Sequence, residues 1–304
     1  MFKRILVPLD GSELAERILP YVSALAKSLE SELLLLTVSD TGESQIDAQQ
    51  KAHLERLAQA TGAPLIEYQR KVVERLQATG LQVRSKVTVG EAAEQILAVA
   101  AQEHAELIAM STHGRSGLRR LQYGSITDKV LHATTVPLLL FRAKEQQVPL
   151  PSFAKLLVPL DGSELAEHAL SFAEELAKCF RSSISLLRVV PIPHPAYFGP
   201  EAGAYLMDLD DQLEQVAKDY LARQSQALRL RGLTTDATTL RGMAAERVME
   251  FASENSIDLI VMCSHGRSGV ARWVYGSVAD KVLRETGIPV LVIRPKAPNI
   301  REGS

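Results

Sequence analysis

The chain repeats itself. Residues 6–16 read LVPLDGSELAE, and residues 157–167 read the same letters again. HGRSG stands at 113–117 and at 265–269. Tyr123-Gly124-Ser125 recurs as Tyr275-Gly276-Ser277, and Asp128-Lys129-Val130-Leu131 as Asp280-Lys281-Val282-Leu283. Pro137 in VPLLLFR corresponds to Pro289 in IPVLVIR. Between Leu6/Leu157 and Gly90/Gly242 the offset grows by a single residue, so one insertion aligns the copies along their whole length. Such a duplication demands two copies of one fold, and 304 residues is a length suited to two domains. Ala143 to Phe153, AKEQQVPLPSF, is polar and carries two prolines. It is the natural joint, dividing the chain into domains 1–146 and 147–304. The tail from Lys296 to Ser304 is expected to fray.

Within each copy short apolar runs alternate with helical periodicity. Lys3–Pro8 suits a buried parallel strand, and Ser12–Leu29 carries apolar residues at helical spacing with Ser12 as its cap. Leu33–Val38 is a second strand, ambiguous by propensity because it is rich in leucine. A helix over roughly 46–79 is expected to break near Pro64. Then come a strand at Gln82–Val89, a helix at Ala92–His104, a strand at Leu107–Met110, a helix at Ser125–Ala133 and a strand at Val136–Arg142. Alternation of this kind gives a parallel sheet covered on both faces. The fold class is α/β, two tandem doubly wound domains.

Apolar residues make up 46% and charged residues 23%, with a net charge of −2, so neither a basic face for nucleic acid nor an anionic-membrane anchor stands out. Pro8 and Asp10 interrupt the amino-terminal apolar run, which argues against a signal peptide, and no stretch reaches the roughly 18 apolar residues of a spanning helix. The two cysteines, Cys179 and Cys263, form no CxxC pair, so a disulfide framework or zinc site is not expected and the cytoplasm is the default compartment.

After the fourth strand of the first copy comes Ser111-Thr112-His113-Gly114-Arg115-Ser116-Gly117, and then Gly124-Ser125 opening a helix. The second copy gives Cys263-Ser264-His265-Gly266-Arg267-Ser268-Gly269 and then Gly276-Ser277. Polyphosphate binding needs backbone N–H groups free to point at oxygen, with no Cβ in the way, and glycine supplies both. A helix amino terminus adds unpaired donors and partial positive charge. Ser125-x-x-Asp128 and Ser277-x-x-Asp280 also read as capping boxes, in which the serine merely serves its own helix. The loop is not a Walker A motif, since no lysine follows the glycines, and no GxGxxG follows the first strand. Arg115 and Arg267 could neutralise phosphate. His113 and His265 lack a Cys or carboxylate partner at ligand spacing and read as loop-orienting rather than catalytic. No nucleophile with an adjacent base, no carboxylate pair and no metal cluster is visible, which favours binding over catalysis.

On these residues the chain resembles the universal stress protein family, in its tandem form. The ATP-binding branch carries G-x2-G-x9-G-[ST] after the fourth strand. Here nine residues separate Gly114 from Gly124 and Gly266 from Gly276. The first-strand signature Pro-x-Asp-x-Ser matches at Pro8-Leu9-Asp10-Gly11-Ser12 and at Pro159-Leu160-Asp161-Gly162-Ser163. One departure stands out: the first motif glycine is Ser111 in one copy and Cys263 in the other. The resemblance implies five-stranded sheets of order 3-2-1-4-5, an adenine nucleotide alpha hydrolase-like fold. It implies ATP, with or without Mg, as the ligand. Asp10 and Asp161 would then stand at the nucleoside edge, flanked by Pro8, Leu9, Ser12 and by Pro159, Leu160, Ser163. Val38 and Val189 would offer backbone hydrogen bonds to adenine. Gly114, Arg115, Gly117, Gly124, Ser125 and Ile126 would surround the phosphates in one copy, and Gly266, Arg267, Gly269, Gly276, Ser277 and Val278 in the other, with His113 and His265 in the same loops. The implied function is a stress-response regulator; an ATP-hydrolysing enzyme and a nucleotide-free dimerisation scaffold are the alternatives. Val136–Arg142 and Ile288–Arg294 are apolar strands that would be sheet edges, and edges invite pairing. The two halves are expected to pair there as an internal pseudo-dimer, with a further homodimer open.

Overall fold

Leu33, Leu34, Leu35 and Leu36 are all inaccessible to solvent, so a leucine run that propensity leaves ambiguous is a strand covered on both faces. The computed structural model describes residues 1–39, 63–113, 124–143, 151–192, 203–264 and 276–294. The first half runs β1 (Arg4–Pro8), α1 (Glu13–Glu16), α2 (Leu19–Leu29), β2 (Glu32–Ser39), α3 (Ala63–Gln77), β3 (Gln82–Val89), α4 (Ala92–Gln102), β4 (Leu107–His113), α5 (Ser125–Ala133) and β5 (Leu138–Ala143). The second runs β6 (Lys155–Pro159), α6 (Glu164–Phe180), β7 (Ser183–Val190), α7 (Gly203–Leu230), β8 (Thr234–Arg241), α8 (Ala244–Glu254), β9 (Leu259–Cys263), α9 (Ser277–Glu285) and β10 (Val290–Ile293).

Among the described residues ten strands form one sheet, ordered β3-β2-β1-β4-β5-β10-β9-β6-β7-β8. Pairing is parallel within each half and antiparallel at the β5–β10 junction. The last strands are therefore interior, and β3 and β8 are the edges. Successive strand residues point to opposite faces. Ile5, Val7, Leu33 and Leu35 pack with Val22 and Leu25 of α2 on one face. Leu6, Leu34 and Leu36 pack with Ile96 of α4 and Val130 of α5 on the other.

Two sequence expectations need correction. The helix expected over Ser12–Leu29 is two helices, because Pro20 falls at the start of α2, where it has no N–H to carry the ladder from α1. The second half has Ser171 in that place, and its helix α6 runs unbroken. The boxes Ser125-x-x-Asp128 and Ser277-x-x-Asp280 do not cap. Gly124 and Gly276 hold the cap positions, and neither can supply a capping side chain.

The halves meet through more than β5 and β10. Phe2 and Phe153 precede the first strands of their halves with φ of 50° and 48°, a left-handed conformation uncommon for bulky residues. Each ring crosses to the other half. Phe2 stacks on Phe172 with centroids 5.9 Å apart, and Phe153 meets Tyr21 edge-on at 6.1 Å. The burial of both rings holds this backbone in place. Arg142 donates to the carbonyl of Arg284, and Arg294 donates to His132 O at 2.9 Å and Thr134 O at 2.8 Å. Each half thus places a guanidinium on the carboxyl terminus of the other's last helix, where the helix dipole favours positive charge.

Candidate functional site

In each half β1 or β6 is followed by a turn built identically. Asp10 Oδ1 accepts from the Ser12 amide at 3.0 Å and from its hydroxyl at 2.6 Å, while Ser12 Oγ accepts from Ala15 N at 3.1 Å. Asp161, Ser163 and Ala166 repeat this at 3.0, 2.6 and 3.2 Å. The turns pass through Gly11 and Gly162 at φ of 84° and 86°, a region glycine reaches without a Cβ penalty. Leu9 N and Leu160 N each donate at 2.8 Å to the neighbouring strand, at Leu36 O and Leu187 O. Pro8, Leu9 and Asp10, like Pro159, Leu160 and Asp161, are thereby fixed at the carboxyl end of the sheet.

From β1 the sheet winds one way to β2 and β3 and the other way to β4 and β5. The crevice outside the carboxyl ends of β1 and β4 is the switch point, the general ligand position in open α/β sheets. Val38 and Val189 lie one residue before the ends of β2 and β7, half-buried. Ser111 lies on β4 next to the buried Thr112, and its hydroxyl has no hydrogen-bond partner among the described residues although the residue is only 9% exposed. Thr88, in register with Val38, also leaves its buried hydroxyl unmatched there. A buried hydroxyl without a partner costs about 1–3 kcal/mol. Cys263 takes the place of Ser111 in the second half, and its Sγ reaches Ala166 O at 3.7 Å. Burial pushes this thiol up to about 12.

Helices α5 and α9 start at the same end of the sheet. Gly276 N donates to Ser264 O at 2.9 Å, and Ser264 N donates to Ile293 O at 2.9 Å, so the start of α9 is tied to the ends of β9 and β10. Gly124, Ser125 and Ile126 are all exposed, Ile126 to 40%. In the second half Ser277 is exposed, and Gly276 and Val278 are half-buried. Gly124 and Gly276, at the cap positions, carry no side chain that could bond the first N–H groups of these helices. The structure thus brings Asp10, Ser12, Ser111 and the Gly124-Ser125 helix start to one end of the first half, and their counterparts to one end of the second. His113 closes β4. Gly114, Arg115, Gly117, His265, Gly266, Arg267 and Gly269 lie outside the described residues. Among the described residues no group of three His, Cys, Asp or Glu is arranged to hold a metal ion. None of the described helices is long and apolar enough to cross a membrane.

Sequence reasoning passed over two residues. Thr88 lies in an alternating strand that looked purely structural. Arg188 sits on β7, its guanidinium 4.9 Å from the centroid of the Tyr220 ring. Thr88 aligns with Leu240 and Arg188 with Thr37, but the two copies differ at most positions of these strands, so no sequence signal set either residue apart.

Comparison with known proteins follows the same division. The model of the universal stress protein family matches residues 1–142 and again residues 152–294. A universal stress protein of Methanocaldococcus jannaschii is 29% identical over 142 residues, 47% of this chain and 82% of that protein. One from Synechocystis is 24% identical over 320 residues, covering 96% of this chain and 100% of its own. The crystal structure of a universal stress protein from Archaeoglobus fulgidus superposes with a TM-score of 0.69 at 20% identity, over 97% of each chain.

Proposed function

The chain belongs to the universal stress protein family, and from that premise we propose that each half binds an adenine nucleotide at the carboxyl end of its strands, as a stress-response regulator in the cytoplasm rather than a metabolic catalyst. The ligand is ATP, with Mg accompanying its phosphates, and the binding domains are residues 1–146 and 147–304. The observation that carries this reading is the pair of helix starts with glycine at the cap, Gly124-Ser125 and Gly276-Ser277, at the same end of the sheet as the two strand-end carboxylate turns.

The residues present fit such a ligand. Outward N–H groups at a helix start are an anion site. The unmatched hydroxyls of Ser111 and Thr88 are polar groups that a ligand can satisfy. Asp10 and Asp161 accept hydrogen bonds, as a ribose hydroxyl requires, and the ends of β2 and β7 present backbone groups to the base edge. The nucleotide supplies a polyphosphate whose charge the two helix starts, with Arg115 and Arg267, would offset.

The test is to purify the protein without added nucleotide, denature it, and identify what is released by chromatography and mass. ATP or ADP at one to two per chain is the expected result. Gly124→Ala is the sharper probe. A Cβ there meets nothing within 4 Å among the described residues, and φ of −59° suits any residue, so the fold should be retained and lost occupancy should report on ligand approach. Empty protein that also gives no heat with Mg-ATP would favour the scaffold reading, in which the β5–β10 junction is the functional feature.

A further inference from the structure

The two strand-end turns are alike in backbone and hydrogen bonding, and different in what lies over them. A methyl group built on Gly11 meets no atom within 4 Å among the described residues. One built on Gly162 meets Arg188 Nη2 at 3.0 Å and Arg188 Cζ and Nη1 at 3.1 Å. The guanidinium is held from the other side by the face of Tyr220. Tyr220 is itself fixed, its hydroxyl donating to Glu167 Oε1 at 2.9 Å, with Gln224 Nε2 donating to the same oxygen at 2.9 Å. A planar, permanently charged fork clamped on a ring is a rigid lid for whatever it covers. The first half has Thr37 in this position, fully buried and accepting from Gln69 Nε2 at 2.8 Å, so β2 sends no guanidinium to its turn. Accordingly Asp10 is exposed and Asp161 is half-buried.

Two further differences run the same way. Where the first half has Thr88 and Ser111, with hydroxyls that no described residue satisfies, the second has Leu240 and the Cys263 thiol, already directed at Ala166 O. An unmet hydroxyl favours a ligand that meets it. A leucine and a tethered thiol offer no such gain.

We infer that Arg188 makes the two crevices unequal: it locks the Asp161 turn and covers its carboxylate, so that the first half takes adenine nucleotide more tightly than the second. The inference rests on the nucleotide-binding reading above. Arg188 is a positioning residue and acts through Asp161.

Two measurements on the full chain test it. The first is amide hydrogen exchange across residues 11–16 and 162–167 without ligand. The second turn should exchange more slowly than the first, and Arg188→Thr should bring it to the first turn's rate. Arg188→Lys keeps the charge but loses the fork, and should fall between. The second is calorimetric titration with Mg-ATP, where the wild type should show two classes separated by about tenfold in Kd. Asp10→Asn should remove the tighter class and Asp161→Asn the weaker, while Arg188→Thr should narrow the gap to about threefold or less. Equal exchange at the two turns, one class of two equal sites, or an Asp161→Asn variant that loses the tighter class would each overturn the inference. A protein that binds no nucleotide at all sinks the function proposed above. In that case slow exchange at the second turn, relieved in Arg188→Thr, still establishes the lock, and its absence disposes of it.

Discussion

Ser12 and Ser163 perform one task from one set of letters: each accepts from the backbone N–H three residues on and opens a helix. Losing such a cap costs about 1 kcal/mol, so Ser12→Ala and Ser163→Ala should each lower Tm by about 2–4 °C in calorimetry. Equal losses in both would show that the cap, not the ligand, governs stability here. This role was legible in the sequence because a cap is local. The serines of Gly124-Ser125 and Gly276-Ser277 were not legible in the same way. Their letters fit a capping box, but the glycine takes the cap position. Cys263 is a second case where placement decides chemistry. Its thiol is buried and pushed up to about 12, whereas Cys179 is half-buried with its Sγ donating to Ser28 O at 3.2 Å. Only thiolate attacks a disulfide reagent. At pH 8 the native protein should therefore release colour from Cys179 alone, and denaturant should expose Cys263. Rapid reaction of both thiols in native protein would mean that the Cys263 site opens freely.

At the scale of elements, strand β3 coincides with the run Gln82–Val89 read from its alternation, and α5 with Ser125–Ala133. The periodicities of two and 3.6 residues carry that information directly. The break between α1 and α2 was missed because helical spacing continues across it, and only Pro20 betrays it. Nor could the sequence show which charges meet on adjacent strands. Arg4 of β1 and Arg84 of β3 both bond Glu32 of β2 at 2.6 Å, and Arg84 and Lys86 bond Glu103, just beyond α4, at 2.8 and 3.0 Å. Arg84 and then Lys86 hold the Glu103 carboxyl down at about 2, from an ordinary 4.5. A carboxyl with a depressed folded-state pKa adds stability that is present above its unfolded value and lost as pH falls through the folded one. The stability gap between wild type and Glu103→Gln should therefore hold from neutral pH to about 4.5 and close between about 4.5 and 2. Urea midpoints at a series of pH values measure it. A gap that stays constant to pH 2 would show that the side chain works through packing and not charge.

The whole molecule carries a near two-fold axis, and the strand register locates it. At the junction Leu139 pairs with Leu291, its own counterpart in the repeat, while Leu140 pairs with Val290 and Leu138 with Val292. The crossed pairs Phe2–Phe172 and Phe153–Tyr21 obey the same symmetry, as do Arg142 and Arg294 on each other's helix ends. The repeat in the sequence foretold two copies and the apolar last strands foretold where they would seek partners. It could not give the register, because three consecutive leucines at 138–140 read alike in any alignment. This geometry is that of a self-complementary dimer interface made within one chain. It follows that a first half expressed alone, residues 1–146, would expose β5 as an apolar edge, and such an edge recruits another strand. The isolated half should form a homodimer in which Leu139 faces Leu139 of the partner, with twice the monomer mass by light scattering. Leu139→Lys should shift that equilibrium towards monomer, because a like-charge pair directly opposite across the strands is unfavourable. In the full chain the same substitution sets a single lysine against Leu291, so it should cost stability while leaving the two halves tethered. A first half that stays monomeric at micromolar concentration would mean that the linker, and not the strand register, holds the halves together.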